Sequence, residues 1–245
     1  MTGEDVAAGS LTVAILCGGR GARLGPMTEL VPKPMVRVQG RPMLDHIIDF
    51  FESKGVRRFT LCAGYRADVI RAHFSETARD SEIAISEAGE GASMLERIWA
   101  LREQAFEHVL IAYGDTFIDL DLDDLLAQHR AAGAPVTIVT AEITSPFGLV
   151  QLDGAAKVAS FREKPVMRYY IGCALFDRAA FTEIAEPMLA KPDGEGLVAF
   201  YQHLIEKGRL SAYLHTGLQM TFNTQDEHRQ VETEIGRFHT YRETA

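Results

Sequence analysis

Through the first half of the chain, short apolar runs rich in β-branched residues alternate with segments whose apolar positions recur every three or four residues. LTVAILC (Leu11 to Cys17) reads as a buried strand, and MLDHIIDFFESKG (Met43 to Gly55) as an amphipathic helix that stops at a glycine. FTLCAGY (Phe59 to Tyr65) is the next strand, ADVIRAHF (Ala67 to Phe74) the next helix, and SEIAISE (Ser81 to Glu87) a shorter strand. In SMLERIWALREQAF (Ser93 to Phe106), Leu95, Ile98, Trp99, Leu101 and Phe106 form a helical apolar stripe. HVLIAYGD (His108 to Asp115) is a strand that ends abruptly at Gly-Asp.

The second half changes character. VTIVTAEI, FGLVQLD, KVASFREKP and YYIGCALFD are strand-like and follow one another quickly, with Asp153-Gly154 as a turn between two of them. Helical patterns return near Phe181 to Ala190, Gly196 to Lys207 and Gln225 to Ile235. Repeated β-α-β units followed by clustered strands predict an α/β fold: a doubly wound, mostly parallel, Rossmann-like sheet with an antiparallel extension. There is no internal repeat and no low-complexity linker, so a single two-lobed domain is expected over residues 11–236. Residues 1–10 and 237–245 are read as tails.

Composition narrows the function classes. A length of 245 residues allows one large domain, and 47% hydrophobic with 24% charged residues is ordinary for a globular protein. No run approaches the roughly 20 apolar residues of a membrane-crossing helix. The opening MTGEDVAAGS lacks the basic and apolar regions of a secretion signal, which makes the cytoplasm the default expectation. Cys17, Cys62 and Cys173 are few, odd in number and set in strand-like contexts, so they read as core packing. A net charge of −9 argues against nucleic-acid binding, which needs a basic surface, while leaving room for a small anion held by concentrated cations.

Such a concentration exists in ILCGGRGARLGPMTELVPKPM (Ile15 to Met35). In an open parallel sheet, ligands collect at the carboxyl ends of the strands, where this loop begins. Gly18, Gly19 and Gly21 allow close backbone approach to phosphate oxygens, and Arg23 and Lys33 supply charge. The spacing is neither a P-loop nor a dinucleotide fingerprint, and Pro26, Pro32 and Pro34 prevent a helix from starting there. A nicotinamide-dependent oxidoreductase is therefore a poor reading.

The full string GGRGARLGPMTELVPKPMVRVQGRPML resembles the N-terminal signature of the sugar-1-phosphate nucleotidylyltransferases: GGxGxRL, a variable loop, PKPM or PKPL, then GxPML. CAGYRADVIRAHF and AYGDTFIDLDLDDLLAQHRAAG look most similar to the cytidylyltransferase branch that makes CDP-sugars, and FGLVQLD and FREKP resemble later family motifs. The resemblance implies the nucleotide-diphospho-sugar transferase fold and Mg²⁺-dependent transfer of a nucleotidyl group to a sugar-1-phosphate, with release of pyrophosphate. It implies CTP as the favoured donor, and it leaves UTP, dTTP or GTP, or a phosphonate acceptor, as alternatives. Its partners are thus a nucleoside triphosphate and a small phosphorylated acceptor, without nucleic acid or membrane; a homo-oligomer stays open.

By the same resemblance, Arg23, Lys33, Asp115 and Lys164 carry the chemistry, with Lys33 stabilising phosphate charge. Leu16, Gly18, Gly19, Gly21, Arg23, Glu87, Gly91, Ser93 and Gly114 would contact the nucleotide. Gly148, Glu163, Lys164 and Gly172 would contact the acceptor, and Asp115 with Asn223 would hold Mg²⁺. Three departures matter. LQMTFNTQDEHRQ puts Asn223 where a late aspartate is usual, with Asp226 as its rival. EGASMLER replaces a TMTGGR-like run but keeps Arg97, and Ile171 replaces the usual asparagine of the sugar strand. The changes at Asn223 and Ile171 keep a non-catalytic, nucleotide-sugar-binding paralogue as an alternative. His46, His73 and His129 lie in helical patterns and read as packing or surface residues.

Overall fold

The computed structural model describes residues 11–240. The chain runs through β1 (Thr12–Leu16), two 3₁₀ segments (Ala22–Thr28 and Lys33–Met35), the two-residue strands β2 (Arg37–Val38) and β3 (Arg41–Pro42), and α1 (Met43–Ser53). It continues with β4 (Arg58–Ala63), α2 (Ala67–Glu76), β5 (Glu82–Glu87), α3 (Met94–Ala100), β6 (His108–Tyr113), β7 (Thr116–Ile118) and α4 (Leu122–Ala132). The second half carries β8 (Val136–Thr144), β9 (Leu149–Leu152), β10 (Val158–Arg162), β11 (Val166–Asp177), α5 (Glu186–Leu189), α6 (Glu195–Glu206), β12 (Leu210–Leu214), β13 (Gln219–Thr221) and α7 (Gln225–Thr240).

Seven strands form the central sheet in the order β12-β8-β11-β6-β1-β4-β5. Every neighbouring pair is parallel except those made by β11, which runs antiparallel to both β6 and β8. The antiparallel component is therefore one strand set inside the central sheet, together with the separate two-stranded pairs β2–β3, β7–β13 and β9–β10. Strand β12 closes the edge beside β8 and has no counterpart among the sequence expectations: LSAYL is too short and too mixed to stand out, and only its parallel pairing with β8 makes it a strand.

Period-2 geometry sends alternate residues of β1 to opposite faces. Val13 and Ile15 join Leu44, Ile48, Phe117, Phe222 and Phe238 on one side; Ala14 joins Ile98, Ile111, Phe176 and Phe200 on the other. Both faces are covered, which is why the strand reads as an unbroken apolar run. The helix expected through Phe106 stops at Ala100 and passes into a 3₁₀ turn, yet Leu95, Ile98, Leu101 and Phe106 are all buried as the stripe requires. All three cysteines are free and buried, and burial pushes the Cys62 and Cys173 thiols up to about 12. Helix α7 extends past the expected domain boundary at 236, and the remaining tail residues lie outside the described ones. Among the described residues, no helix is long and apolar enough to cross a membrane.

Candidate active site

From β1 the chain builds outward through β4 and β5, then returns on the other side of β1 as β6. The loops after β1 and β6 consequently diverge at the carboxyl edge of the sheet, the switch point at which such sheets bind ligands. A cleft of about 540 Å³ opens there. Of the sequence-predicted residues, Leu16, Gly18, Gly19, Gly21, Arg23, Lys33, Gly91, Asp115 and Asn223 line it.

Lys33 is the centre of this arrangement. Pro32 and Pro34 flank it in a 3₁₀ turn, and the residue is only 5% exposed. Its ammonium donates to Asp115 Oδ2 at 2.7 Å and to Asn223 Oδ1 at 3.3 Å, and lies 5.5 Å from the centroid of the Phe222 ring. Asp115 sits in the turn between β6 and β7. Strand β7 pairs with β13 so that Thr116 faces Thr221, and the Thr221 hydroxyl donates to the Asp115 carbonyl at 2.7 Å. That two-stranded ladder brings Asn223, and not its rival, to the side of Asp115. Asp226 is 83% exposed, pairs with Arg229 and does not line the cleft.

The glycines have different reasons for being glycine. Gly21 has φ +68°, and a Cβ there would lie 2.7 Å from Lys33 Cβ. Side chains at Gly18 and Gly64 would collide with the Arg97 guanidinium, which is buried between them and donates to the carbonyls of Ala63 and Glu90. Gly19, unlike Gly18 and Gly21, has open space where a Cβ would be. Gly21→Ala should therefore cost about 1–3 kcal/mol of stability through strain and displacement of Lys33. Thermal melting of Gly21→Ala beside Gly19→Ala checks this, with the second expected to melt near wild type.

The other predicted residues lie elsewhere. Ser93 caps α3: its Oγ accepts from Glu96 N–H at 3.3 Å, and its own N–H donates to Glu96 Oε2 at 2.7 Å. Glu87 pairs with Arg71 on the surface, and Gly114 packs beneath the cleft against Leu16 and Pro34. Gly148 and Glu163 are neighbours at the β9–β10 hairpin, and Lys164 leaves that hairpin with φ +42°. None of these three lines the cleft. Gly172, at φ +78°, lies under the Tyr113 ring, 2.5 Å from where its Cβ would stand.

Sequence reasoning passed over Arg20, Tyr65, Tyr113 and Asp193, which also line the cleft. Tyr65 carries the Arg20 guanidinium 5.4 Å from its ring centroid and donates its hydroxyl to Glu29 O at 2.9 Å. Tyr65 and Tyr113 belong to the Gly-Tyr and Tyr-Gly-Asp strings, where a signal was present. Asp193 belongs to no motif; it arrives from the loop before α6 and accepts from Met94 N–H at 2.8 Å.

Comparison with known proteins identifies the family. Residues 12–217 match the nucleotidyl transferase family. The chain belongs to that family. It is an enzyme of the nucleotidyltransferase type, and its relatives include proteins acting with several bases. Glucose-1-phosphate cytidylyltransferase of Salmonella typhi is 26% identical over 87% of this chain and 91% of its own. Mannose-1-phosphate guanylyltransferase of Mycobacterium tuberculosis is 30% identical over 70% of this chain and 50% of its own. In structure, HddC of Yersinia pseudotuberculosis superposes with a TM-score of 0.70 at 20% identity, covering 91% of this chain and 99% of that one, which shows a shared fold.

Proposed function

We propose that this nucleotidyltransferase transfers a nucleotidyl group from a nucleoside triphosphate, CTP by preference, to a sugar-1-phosphate or a comparable phosphate acceptor in a Mg²⁺-dependent reaction in the cytoplasm. The single observation that carries the reading is the Lys33 ammonium held between Asp115 and Asn223 on the floor of the glycine-lined cleft. Both reactants are anions, so such an enzyme must bring two negative groups together and neutralise charge on the phosphorus being transferred.

Asp115 and Asn223 fit the donor chemistry of Mg²⁺ and would supply two of its oxygen ligands. Both offer oxygen donors, and both oxygens already converge on one cation, the Lys33 ammonium. When bound, Mg²⁺ would polarise the phosphoryl oxygens and offset their charge. The chain's own residues do the rest. An acceptor phosphate oxygen, already ionised at neutral pH, forms a bond to the α-phosphorus. The bond from that phosphorus to the bridging oxygen breaks, and pyrophosphate leaves with the electron pair. No general base or covalent nucleophile is needed. Lys33 faces the transferring group, Arg23 the outer phosphates, and the open backbone at Gly19 gives a phosphate room to approach.

Gly148, Glu163 and Lys164 are assigned to the acceptor in this reading by their place in the FGLVQLD and FREKP strings. The left-handed backbone at Lys164, uncommon outside glycine, is the kind of retained strain that clusters at functional positions. CTP is favoured by the Gly-Tyr and Tyr-Gly-Asp strings and by the cytidylyltransferase among the relatives, while the guanylyltransferase relative supports GTP as the competing donor.

The test is pyrophosphate release with Mg²⁺ across CTP, UTP, dTTP, GTP and ATP against sugar-1-phosphates and small phosphonates. Release that requires CTP and one acceptor is the expected result. Release with another base would replace CTP while keeping the reaction. Nucleotide binding without any release would favour a non-catalytic role.

A further inference from the structure

Three side chains that the proposed reaction does not use converge at the end of the sheet opposite the cleft. His108 opens β6, the strand whose other end, Tyr113, lines the cleft. Asp177 closes the antiparallel β11 directly beside it, and His129 comes from the last turn of α4. Asp177 Oδ1 stands 2.6 Å from His108 Nδ1 and 2.8 Å from His129 Nε2, and the three potential ligand atoms lie within 4.8 Å of one another.

We propose that His108, His129 and Asp177 form a binding site for a divalent cation of the zinc class, separate from the catalytic cleft, which pins α4 to β6 and β11. Two imidazoles and one carboxylate make a mixed nitrogen and oxygen set, suited to Zn²⁺ or Co²⁺ and poorly matched to Mg²⁺. Tetrahedral coordination with bonds of about 2.0–2.1 Å sets ligand atoms about 3.3 Å apart, so Asp177 Oδ1 has to draw back from both imidazoles, which stand at 2.6 and 2.8 Å. Asp177 is about one-third exposed, which provides a path of entry and a solvent position for a fourth ligand.

The surroundings fit metal ligation as well. Coordination through His129 Nε2 requires its remaining proton on Nδ1, and that atom lies 2.6 Å from Thr137 Oγ1, itself 2.5 Å from Ser211 Oγ. The two hydroxyls can reverse their donor and acceptor roles, so the ring can take either tautomer without losing its partner. For His108 the rear nitrogen, Nε2, faces Glu107 Oε1 at 3.7 Å, an acceptor of the right sign. All three ligands stand at the ends of sheet strands or in a four-square helical turn with His129 only 2% exposed, so the constellation is rigidly carried.

The test uses Co²⁺ as a spectroscopic probe and Zn²⁺ in thermal melts, with Asp115→Asn serving to silence the cleft. Asp115→Asn should take up one equivalent of Co²⁺ with visible absorption bands of histidine coordination, and wild type should show the same bands with at least one equivalent. Zn²⁺ at a hundredfold excess over Kd should raise the Tm of both by roughly 5 °C or more, and Mg²⁺ should leave the Tm of Asp115→Asn unmoved. His108→Gln and Asp177→Asn should lose both responses. Asp177→Asn keeps the size of the side chain and one acceptor oxygen, so the comparison stands even where His108→Gln folds poorly. Absence of Co²⁺ bands in the wild type, or a Zn²⁺ shift undiminished in Asp177→Asn, overturns the proposal and leaves the cluster a hydrogen-bonded clamp.

Discussion

Lys33→Ala is expected to reduce turnover by at least about a hundredfold while the protein stays folded, which corresponds to about 2.7 kcal/mol of lost transition-state stabilisation. The ammonium is almost fully buried, fixed by a turn between two prolines and aimed by Asp115 and Asn223, so little reorganisation is needed when charge develops on a phosphate. The loss should appear mainly in kcat, because a charge contact that strengthens during transfer contributes less to binding the ground state. Its cost to the fold is smaller, about 1–2 kcal/mol, since Asp115 is 36% exposed and water can take up its freed oxygen. Steady-state kinetics beside circular dichroism separate the two effects. Near-normal kcat in a folded variant would remove Lys33 from the chemistry.

The reason Lys33 was visible in the sequence is local. PKPM fixes its backbone over three residues, and Gly21, which makes room for it, stands in the same loop; a signature this compact survives without knowledge of the fold. Its partners were harder to read. Asp115 ends a strand and was legible as a strand terminus, but Asn223 reaches the same ammonium only through the β7–β13 ladder, which pairs segments far apart in the chain. Arg97 is the opposite case. A conventional reading gives Gly18 to a phosphate, whereas the structure fills the space above it with a guanidinium from α3, so this glycine serves packing inside the loop. Ser93 similarly reads as a ligand contact in the motif and is spent on capping a helix. The parallel core strands were recoverable because burial on both faces writes a continuous apolar run, and the exposed β9–β10 hairpin through its Asp153-Gly154 turn, while the short edge strand β12 carries neither imprint.

Asp115→Asn is expected to raise the Mg²⁺ concentration for half-maximal activity by at least about tenfold and to lower the maximal rate as well. The amide keeps the shape of the side chain and can still accept from Lys33, so the substitution isolates charge from geometry. In the proposed site the pair Asp115 and Asn223 would bring one negative charge to the metal, because the second position carries an amide instead of a carboxylate. Removing that charge leaves two neutral oxygens, a weak set for a strongly hydrated cation. The reciprocal change, Asn223→Asp, should lower the Mg²⁺ requirement by adding a carboxylate next to the first, and should draw Lys33 toward the new charge. Asp226→Asn should change neither quantity, since that side chain is exposed and outside the cleft. A Mg²⁺ titration of activity across the three variants checks the set. If Asp115→Asn leaves the metal dependence unaltered while Asp226→Asn shifts it, the cation is held one turn further into α7, and Asp115 is left with the single duty of orienting Lys33.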